Sequence, residues 1–265
     1  MNNSLYILDD SPRFEWIRLS STDSTSNFLK NYRPAAAREM TLVTADYQTA
    51  GRGQAGNSWE SEVGRTLLFS LRLQPVGLDV RRQFILSQAM SVAICTALRE
   101  LLPDGVSIKW PNDIYWHHRK VCGFLVENFL TGHSIDTCII GAGINVNQTV
   151  FLSDAPNPVS LKQITGQDTE CVFLLARIVE LFRSHYARIQ AGDTAAITAA
   201  YRQMLYRATG FYAYADKDGT FEAEIHDIEP TGHLILADRA GTLRRYAFKE
   251  VRSLIPDGDS SLTAL

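Results

Sequence analysis

No two of the four cysteines, Cys95, Cys122, Cys138 and Cys171, lie within four residues of each other. That excludes the close thiol pairs of zinc ribbons and of redox motifs. Each stands among apolar neighbours, so the expectation is buried free thiols in a reducing cytoplasm. There is no basic excess: 26 Lys and Arg face 29 Asp and Glu, the net charge is −3 and the pI about 6.1. A dedicated nucleic-acid binder is usually basic, so that class is disfavoured and no DNA partner is expected. No stretch of about 18 apolar residues exists, so no membrane span is expected. The opening Met1-Asn2-Asn3-Ser4 has neither the basic nor the apolar region of a signal peptide. Internal repeats and low-complexity segments are also missing.

What is present is a chain of 265 residues, 45% of them hydrophobic, which fits one large domain, or one main domain with a small appendage. Asp23-Ser24-Thr25-Ser26 offers capping oxygens to a helix carrying Phe28, Leu29 and Tyr32. Strands are predicted at 41–45 and 66–73, and a long helix from Asp79 to about Leu102. A strand at 106–110 is halted by Pro111. Residues 114–116 and 120–128 read as hairpin arms around His117-His118-Arg119, followed by a strand at 135–144 and a loop over 149–160. Helices are predicted at about 169–190 and 194–207. From Gly210 the character changes to short β segments at 211–215, 221–228, 234–237 and 243–248, which suggests a small barrel.

Two runs carry chemistry. Gln48-Thr49-Ala50-Gly51-Arg52-Gly53-Gln54-Ala55-Gly56-Asn57-Ser58-Trp59 places three glycines in six residues. Such a loop is expected to adopt conformations other residues resist and to turn its N–H groups toward an anion. Arg52 adds a planar fork for a phosphate or carboxylate, and Trp59 a face for a ring. The second run is Lys109-Trp110-Pro111-Asn112-Asp113, with Lys120 seven residues after Asp113. Here Asp113 could hold Mg²⁺, which needs only one or two carboxylates beside phosphate oxygens. Lys120 could neutralise an anion as a point charge.

Four other patterns are decoys. The P-loop glycine spacing of Gly51 and Gly56 has Asn57 where the lysine belongs and a strand where the helix belongs. Gly141-Ala142-Gly143-Ile144-Asn145 starts like a dinucleotide fingerprint but has Val146 at the third glycine. It reads instead as a strand whose backbone packs closely against something. Asp216-Lys217-Asp218-Gly219 has Phe221 where a calcium loop needs glycine, so a β-turn is expected. His117-His118 lacks partner ligands and reads as a hairpin tip.

Ser24-Thr25-Ser26, the 48–59 loop, Lys109–Asp113 with Lys120-Val121-Cys122-Gly123, and Gly141–Asn145 resemble, in order and approximate spacing, the motifs of biotin protein ligases. The resemblance implies an α+β fold. It has a central mixed, largely antiparallel sheet with helices packed on it over residues 1–207, the catalytic biotin- and ATP-binding domain. An SH3-like β-barrel follows over 208–265. It implies activation of biotin by ATP, with Mg as co-substrate partner and no prosthetic group. Biotin is then transferred to a lysine of a biotin carboxyl carrier domain. Catalytic roles fall to Arg52, Lys120 and Asp113. Biotin contacts fall to Ser24, Thr25, Ser26, Gln48, Gly51, Arg52, Gly53, Lys120 and Gly123. ATP contacts fall to Arg52, Gln54, Trp59, Asn112, Asp113 and Asn145, with Asp113 the expected Mg ligand.

The pattern departs from the family at two points. Ser26 stands where an asparagine is usual, and Gln54 where many members carry a further arginine, leaving one positive charge fewer near the adenylate. Members with repressor activity carry an N-terminal helix-turn-helix domain. Residues 1–20 are too few to build one, so a ligase without repressor activity is expected. Monomer and homodimer are both open. The alternative readings are a lipoate-protein ligase or related acyltransferase, and a non-catalytic binding module.

Overall fold

The structure, a computed structural model, describes residues 14–34, 38–53, 56–75, 77–153 and 157–255. The chain divides into two compact units, Met1–Tyr206 and Arg207–Leu265.

The first unit is built on a seven-stranded sheet: β1 (Phe14–Leu19), β2 (Met40–Ala45), β3 (Thr66–Leu73), β4 (Val106–Lys109), β5 (Asp113–Trp116), β6 (Arg119–Thr131) and β7 (Ser134–Asn145). Their order is β1-β2-β3-β7-β6-β5-β4. Only β1 and β2 run parallel; every other neighbouring pair is antiparallel. The middle of the sheet is buried on both faces, so β3 reads as a near-continuous apolar run with six consecutive buried residues.

Helix α1 (Thr25–Asn31) lies against β2, β3 and β7. Its Leu29 meets Val43 and Ile139 in a buried cluster. Helices α2 (Phe84–Leu101), α4 (Cys171–Gln190) and α5 (Ala195–Gln203) form a second layer, α2 packing on both others and on β4 and β5, and α4 on β3. By length and composition the segment Val80–Leu101 could cross a membrane, but 78% of that window is buried inside the fold, the signature of a core helix.

Several boundaries differ from the sequence reading for local reasons. Asp79 caps a short 3-10 turn, Val80–Arg82, by accepting from Arg81 N, so α2 begins only at Phe84. The unforeseen α3 (Leu161–Thr165) rests on a capping box between Ser160 and Gln163. The unforeseen β1 pairs only along one edge, with β2, and its sequence Phe-Glu-Trp-Ile-Arg-Leu breaks the alternation that marks a strand. Cys95, Cys122 and Cys138 are buried as expected, whereas Cys171, at the start of α4, is only half-buried.

The second unit is a five-stranded antiparallel sheet ordered β11-β10-β9-β8-β12. Its strands are β8 (Tyr212–Asp216), β9 (Gly219–Ile228), β10 (Leu234–Asp238), β11 (Leu243–Tyr246) and β12 (Arg252–Ser253). Phe221 stacks between Tyr214 and Tyr246, whose hydroxyl donates to Asp216 at 2.6 Å.

Leu29 is fully buried and joins α1 to the sheet. Leu29→Ala should therefore cost about 2–5 kcal/mol in urea unfolding. A loss below about 0.5 kcal/mol would show that α1 is not fastened there.

Candidate active site

The site is built on one face of the sheet, where backbone takes the place of side chains. The two-residue period of a strand puts Gly123, Leu125 and Glu127 of β6 on the same face as Gly143, Gly141 and Ile139 of β7. Ser70 of β3 pairs with Gly141. A Cβ on Gly143 would run into the Trp59 indole, and one on Gly141 into the Ser26 hydroxyl. A Cβ on Gly123 would lie 3.0 Å from Lys120 Nζ and 3.1 Å from Trp59 Cζ3. The close packing expected of Gly141 and Gly143 thus has named partners: an indole at one end of the glycine floor and the N-terminus of α1 at the other.

The glycine loop works differently from the anion cradle expected of it. Gly53 N donates to Asn57 O at 2.6 Å and Trp59 N to Gly51 O at 2.9 Å, with a bridge between Arg52 and Ser58. These amides close the loop on itself instead of facing a ligand. Of its three glycines only Gly56 has a positive φ, +91°. Gly51 is required for a different reason, because a Cβ there would strike the Trp59 carbonyl oxygen. Gln54 lies outside the described residues.

Arg52 projects from this loop to Glu127. Its two terminal nitrogens reach the carboxylate at 3.1 and 3.2 Å, and Nη1 also donates to Asn27 Oδ1 at 3.1 Å. Lys30 of α1 donates to the same carboxylate at 2.7 Å. Burial pushes the Glu127 carboxyl upward, but Lys30 and Arg52 outweigh it and hold its pKa below the ordinary value. Sequence reasoning missed Glu127; its only signal is that it stands two strand periods from Gly123, on the same face of the sheet.

On the far side of the floor Lys120 Nζ meets Asp113 Oδ1 at 2.7 Å, both about a quarter exposed. The same ammonium lies 5.8 Å from the Trp59 ring centroid. Asn112 donates to the Phe124 carbonyl, and Asn145 to the Lys120 carbonyl at 3.4 Å, so both amides pin the first half of β6. Arg52, Gly53, Trp59, Asp113, Lys120 and Phe151 are among the residues lining a cavity of about 660 Å³. Asn112, Gly123 and Asn145 also line it. Ser24, Thr25, Ser26, Gln48 and Gly51 do not.

Thr25, Ser26 and Gln48 form, with the buried Ser70, a hydrogen-bonded cluster beside the floor, in which Gln48 alone is only half-buried. Gln48 Oε1 accepts from Thr25 N at 2.8 Å and from Thr25 Oγ1 at 3.0 Å. Thr25 Oγ1 lies 2.7 Å from Ser70 Oγ, which lies 3.0 Å from Ser26 Oγ. The backbone N–H of Thr25 fixes the Gln48 oxygen as the facing atom, so the Thr25 hydroxyl proton goes to Gln48. Ser70 must then donate to Thr25, and Ser26 to Ser70. The chain has one direction, and it leaves only lone pairs free on Ser26 and Thr25. Ser70, fully buried, had no signal in the sequence motifs.

Among the described residues no group of three or more His, Cys, Asp or Glu side chains could hold a metal ion. A Mg²⁺ carried mainly by phosphates and water needs one or two carboxylates, and the donor chemistry of Asp113 fits that demand.

Residues 18–145 match the Biotin/lipoate A/B protein ligase family. The chain is 30% identical over 234 residues to the bifunctional ligase/repressor BirA of Bacillus subtilis, covering 86% of this chain and 70% of that protein. The chain belongs to the biotin/lipoate protein ligase family. Among its biotin ligase relatives, the biotin--[acetyl-CoA-carboxylase] ligase of Paracoccus denitrificans is 28% identical over 241 residues, 84% of this chain and 94% of that one. The solved biotin protein ligase from Aquifex aeolicus, in complex with biotin and ATP, superposes with a TM-score of 0.75. It is 25% identical, covering 91% of this chain and 99% of that one. The ligase fold expected from the motifs, a mixed sheet with packed helices, is the one observed.

Because the Glu127 pKa is depressed on folding, its contribution is present above the unfolded carboxylate pKa and is lost as pH falls through the folded value. Glu127→Gln should release the Arg52 loop at neutral pH and speed proteolysis within 51–59 about fivefold, as expected for loss of a partly exposed ion pair. The difference between the two proteins should vanish on acidification. An unchanged cleavage rate at neutral pH would show that Glu127 does not hold the loop.

Proposed function

We propose that this chain is an ATP-dependent biotin ligase. It activates biotin as biotinyl-5′-AMP and then passes biotin to a lysine of a biotin carboxyl carrier protein. The observation that carries this reading is one sheet face on which an aromatic wall and an ammonium–carboxylate pair line a cavity, with a directed hydroxyl cluster further along the same glycine floor.

In the first half-reaction a biotin carboxylate oxygen attacks the α-phosphorus of ATP. The bond to the bridging oxygen breaks and pyrophosphate leaves. Both reactants are anionic, so the task of the protein is to bring them together and offset their charge. Lys120 is the cation at that junction, held at 2.7 Å by Asp113. Arg52 is the second, and Glu127 keeps it at the rim until an anion competes for it. Trp59 offers its face to adenine. In the second half-reaction the neutral amine of the carrier lysine attacks the carbonyl carbon of the mixed anhydride. The carbon–oxygen bond to AMP breaks and the amine loses a proton. Bound with the nucleotide, Mg²⁺ would offset phosphate charge beside Asp113.

The hydroxyl cluster supports biotin over lipoate. With their protons committed, Ser26 and Thr25 can only accept, which suits the N–H donors of a ureido ring. The dithiolane ring of lipoate has no N–H to offer. Ser26 is shorter than the usual asparagine, and Ser70 supplies the partner that orients it.

Biotin-dependent exchange of pyrophosphate into ATP tests the reading, with lipoate as control. Exchange with biotin alone is expected; exchange only with lipoate, or with neither, overturns it. Lys120→Ala should slow adenylation by about 10²–10³-fold in single turnover, the cost of removing a preorganised charge. A near-normal rate would remove Lys120 from the reacting centre.

A further inference from the structure

Directly after the aromatic wall comes a carboxylate that the adenylation chemistry leaves unused. Glu60 accepts from three groups of the 148–153 segment. Leu152 N reaches its Oε1 at 2.9 Å and its Oε2 at 3.1 Å, Ser153 N its Oε2 at 2.7 Å, and Gln148 Nε2 its Oε1 at 3.1 Å. Gln148 is almost fully buried, 1% exposed, and its amide is saturated. Its oxygen accepts from Glu62 N at 3.1 Å and Thr66 Oγ1 at 3.0 Å, and its nitrogen also donates to Val150 O at 2.9 Å. Two segments that are remote in sequence, 59–66 and 148–153, are thereby fastened through one carboxylate and one amide.

Both segments flank the same cavity. Trp59 and Glu60 line it from one, Phe151 and Ser153 from the other. Leu152 is 86% exposed, so no apolar burial of its own side chain holds that stretch in place. Burial pushes the Glu60 carboxyl upward, yet the N–H groups of Leu152 and Ser153 and the Gln148 amide outweigh it and keep the pKa below the ordinary value. The acceptor is thus fully ionised at neutral pH, where hydrogen bonds from N–H groups to a charged oxygen are strongest.

We infer that Glu60 and Gln148 form a clasp that holds the 150–153 wall of the Trp59 cavity before any ligand arrives, making Glu60 a positioning residue for the nucleotide. The inference rests on the biotin ligase reading for the identity of the nucleotide. A wall already in place spares the ordering entropy that a loose segment would lose on binding. The clasp touches neither the Ser26–Ser70–Thr25–Gln48 chain nor the Lys120–Asp113 pair, so its loss should separate the two substrates.

Glu60→Gln keeps the side-chain size but replaces one acceptor oxygen with a donor that faces N–H groups. The expected result is a rise in the KM for ATP of about tenfold in biotin-dependent pyrophosphate exchange. The KM for biotin should stay within about twofold and the melting temperature should be nearly unchanged, while Glu60→Asp restores part of the ATP affinity. Hydrogen exchange of the ligand-free protein gives a readout independent of activity: amides at 150–153 should exchange faster in Glu60→Gln, with the 123–145 strands unaffected. An unchanged KM for ATP, a parallel rise for both substrates, or unaltered exchange at 150–153 would each overturn the clasp. Wild-type protein without biotin-dependent exchange would instead overturn the proposed function, while the amide exchange would still judge the clasp.

Discussion

The site depends on backbone left bare at the centre of a buried sheet. Gly123 and Gly143 face one another across β6 and β7, and Gly141 follows one period along. Where most strand pairs would raise a ridge of side chains, this pair leaves a trough. An indole and a hydroxyl come down onto it, at positions where even a methyl group would collide. Glycine weakens a strand, and sheet interiors tolerate it where another group must approach the backbone. Here the surrounding strands, buried on both faces, compensate for it.

Charge is arranged around that trough in two closed units. Asp113 holds Lys120 on one side, and Glu127 gathers Arg52 and Lys30 on the other. Both units are only partly buried, so their cations are neutralised without being sealed from solvent. A phosphate or carboxylate can replace the protein carboxylate without stranding a charge in an apolar interior. The hydroxyl cluster at the start of α1 is organised differently. Its protons run one way toward Gln48, so its free lone pairs are set before a ligand binds.

Much of this was legible in the sequence. The Gly141–Asn145 run signalled close approach of backbone, and Pro111 marked the turn that brings Asp113 to the head of β5. The mixed, mostly antiparallel sheet was implied by the resemblance of the motifs, and the short β segments from Gly210 followed from pattern and turn signals. What escaped were residues whose meaning depends on register. Glu127 and Ser70 look like an ordinary charged and an ordinary small residue until strand pairing sets them beside Arg52 and Ser26. Glu60 and Gln148 are 88 positions apart and meet only through two loops. The glycine loop misled in its detail: its spacing suggested amides turned outward, whereas those of Gly53 and Trp59 are spent on closing the loop.

The central claim is that the bare floor at Gly143 sets the position of Trp59 and through it the depth of the cavity. Gly143→Ala tests this with a single added methyl group. Steady-state pyrophosphate exchange should show kcat/KM lowered by about 10²-fold, the scale of an ångström-level misplacement at a reacting centre, in a protein that still unfolds cooperatively. A variant with kcat/KM within about twofold of the wild type would contradict the account.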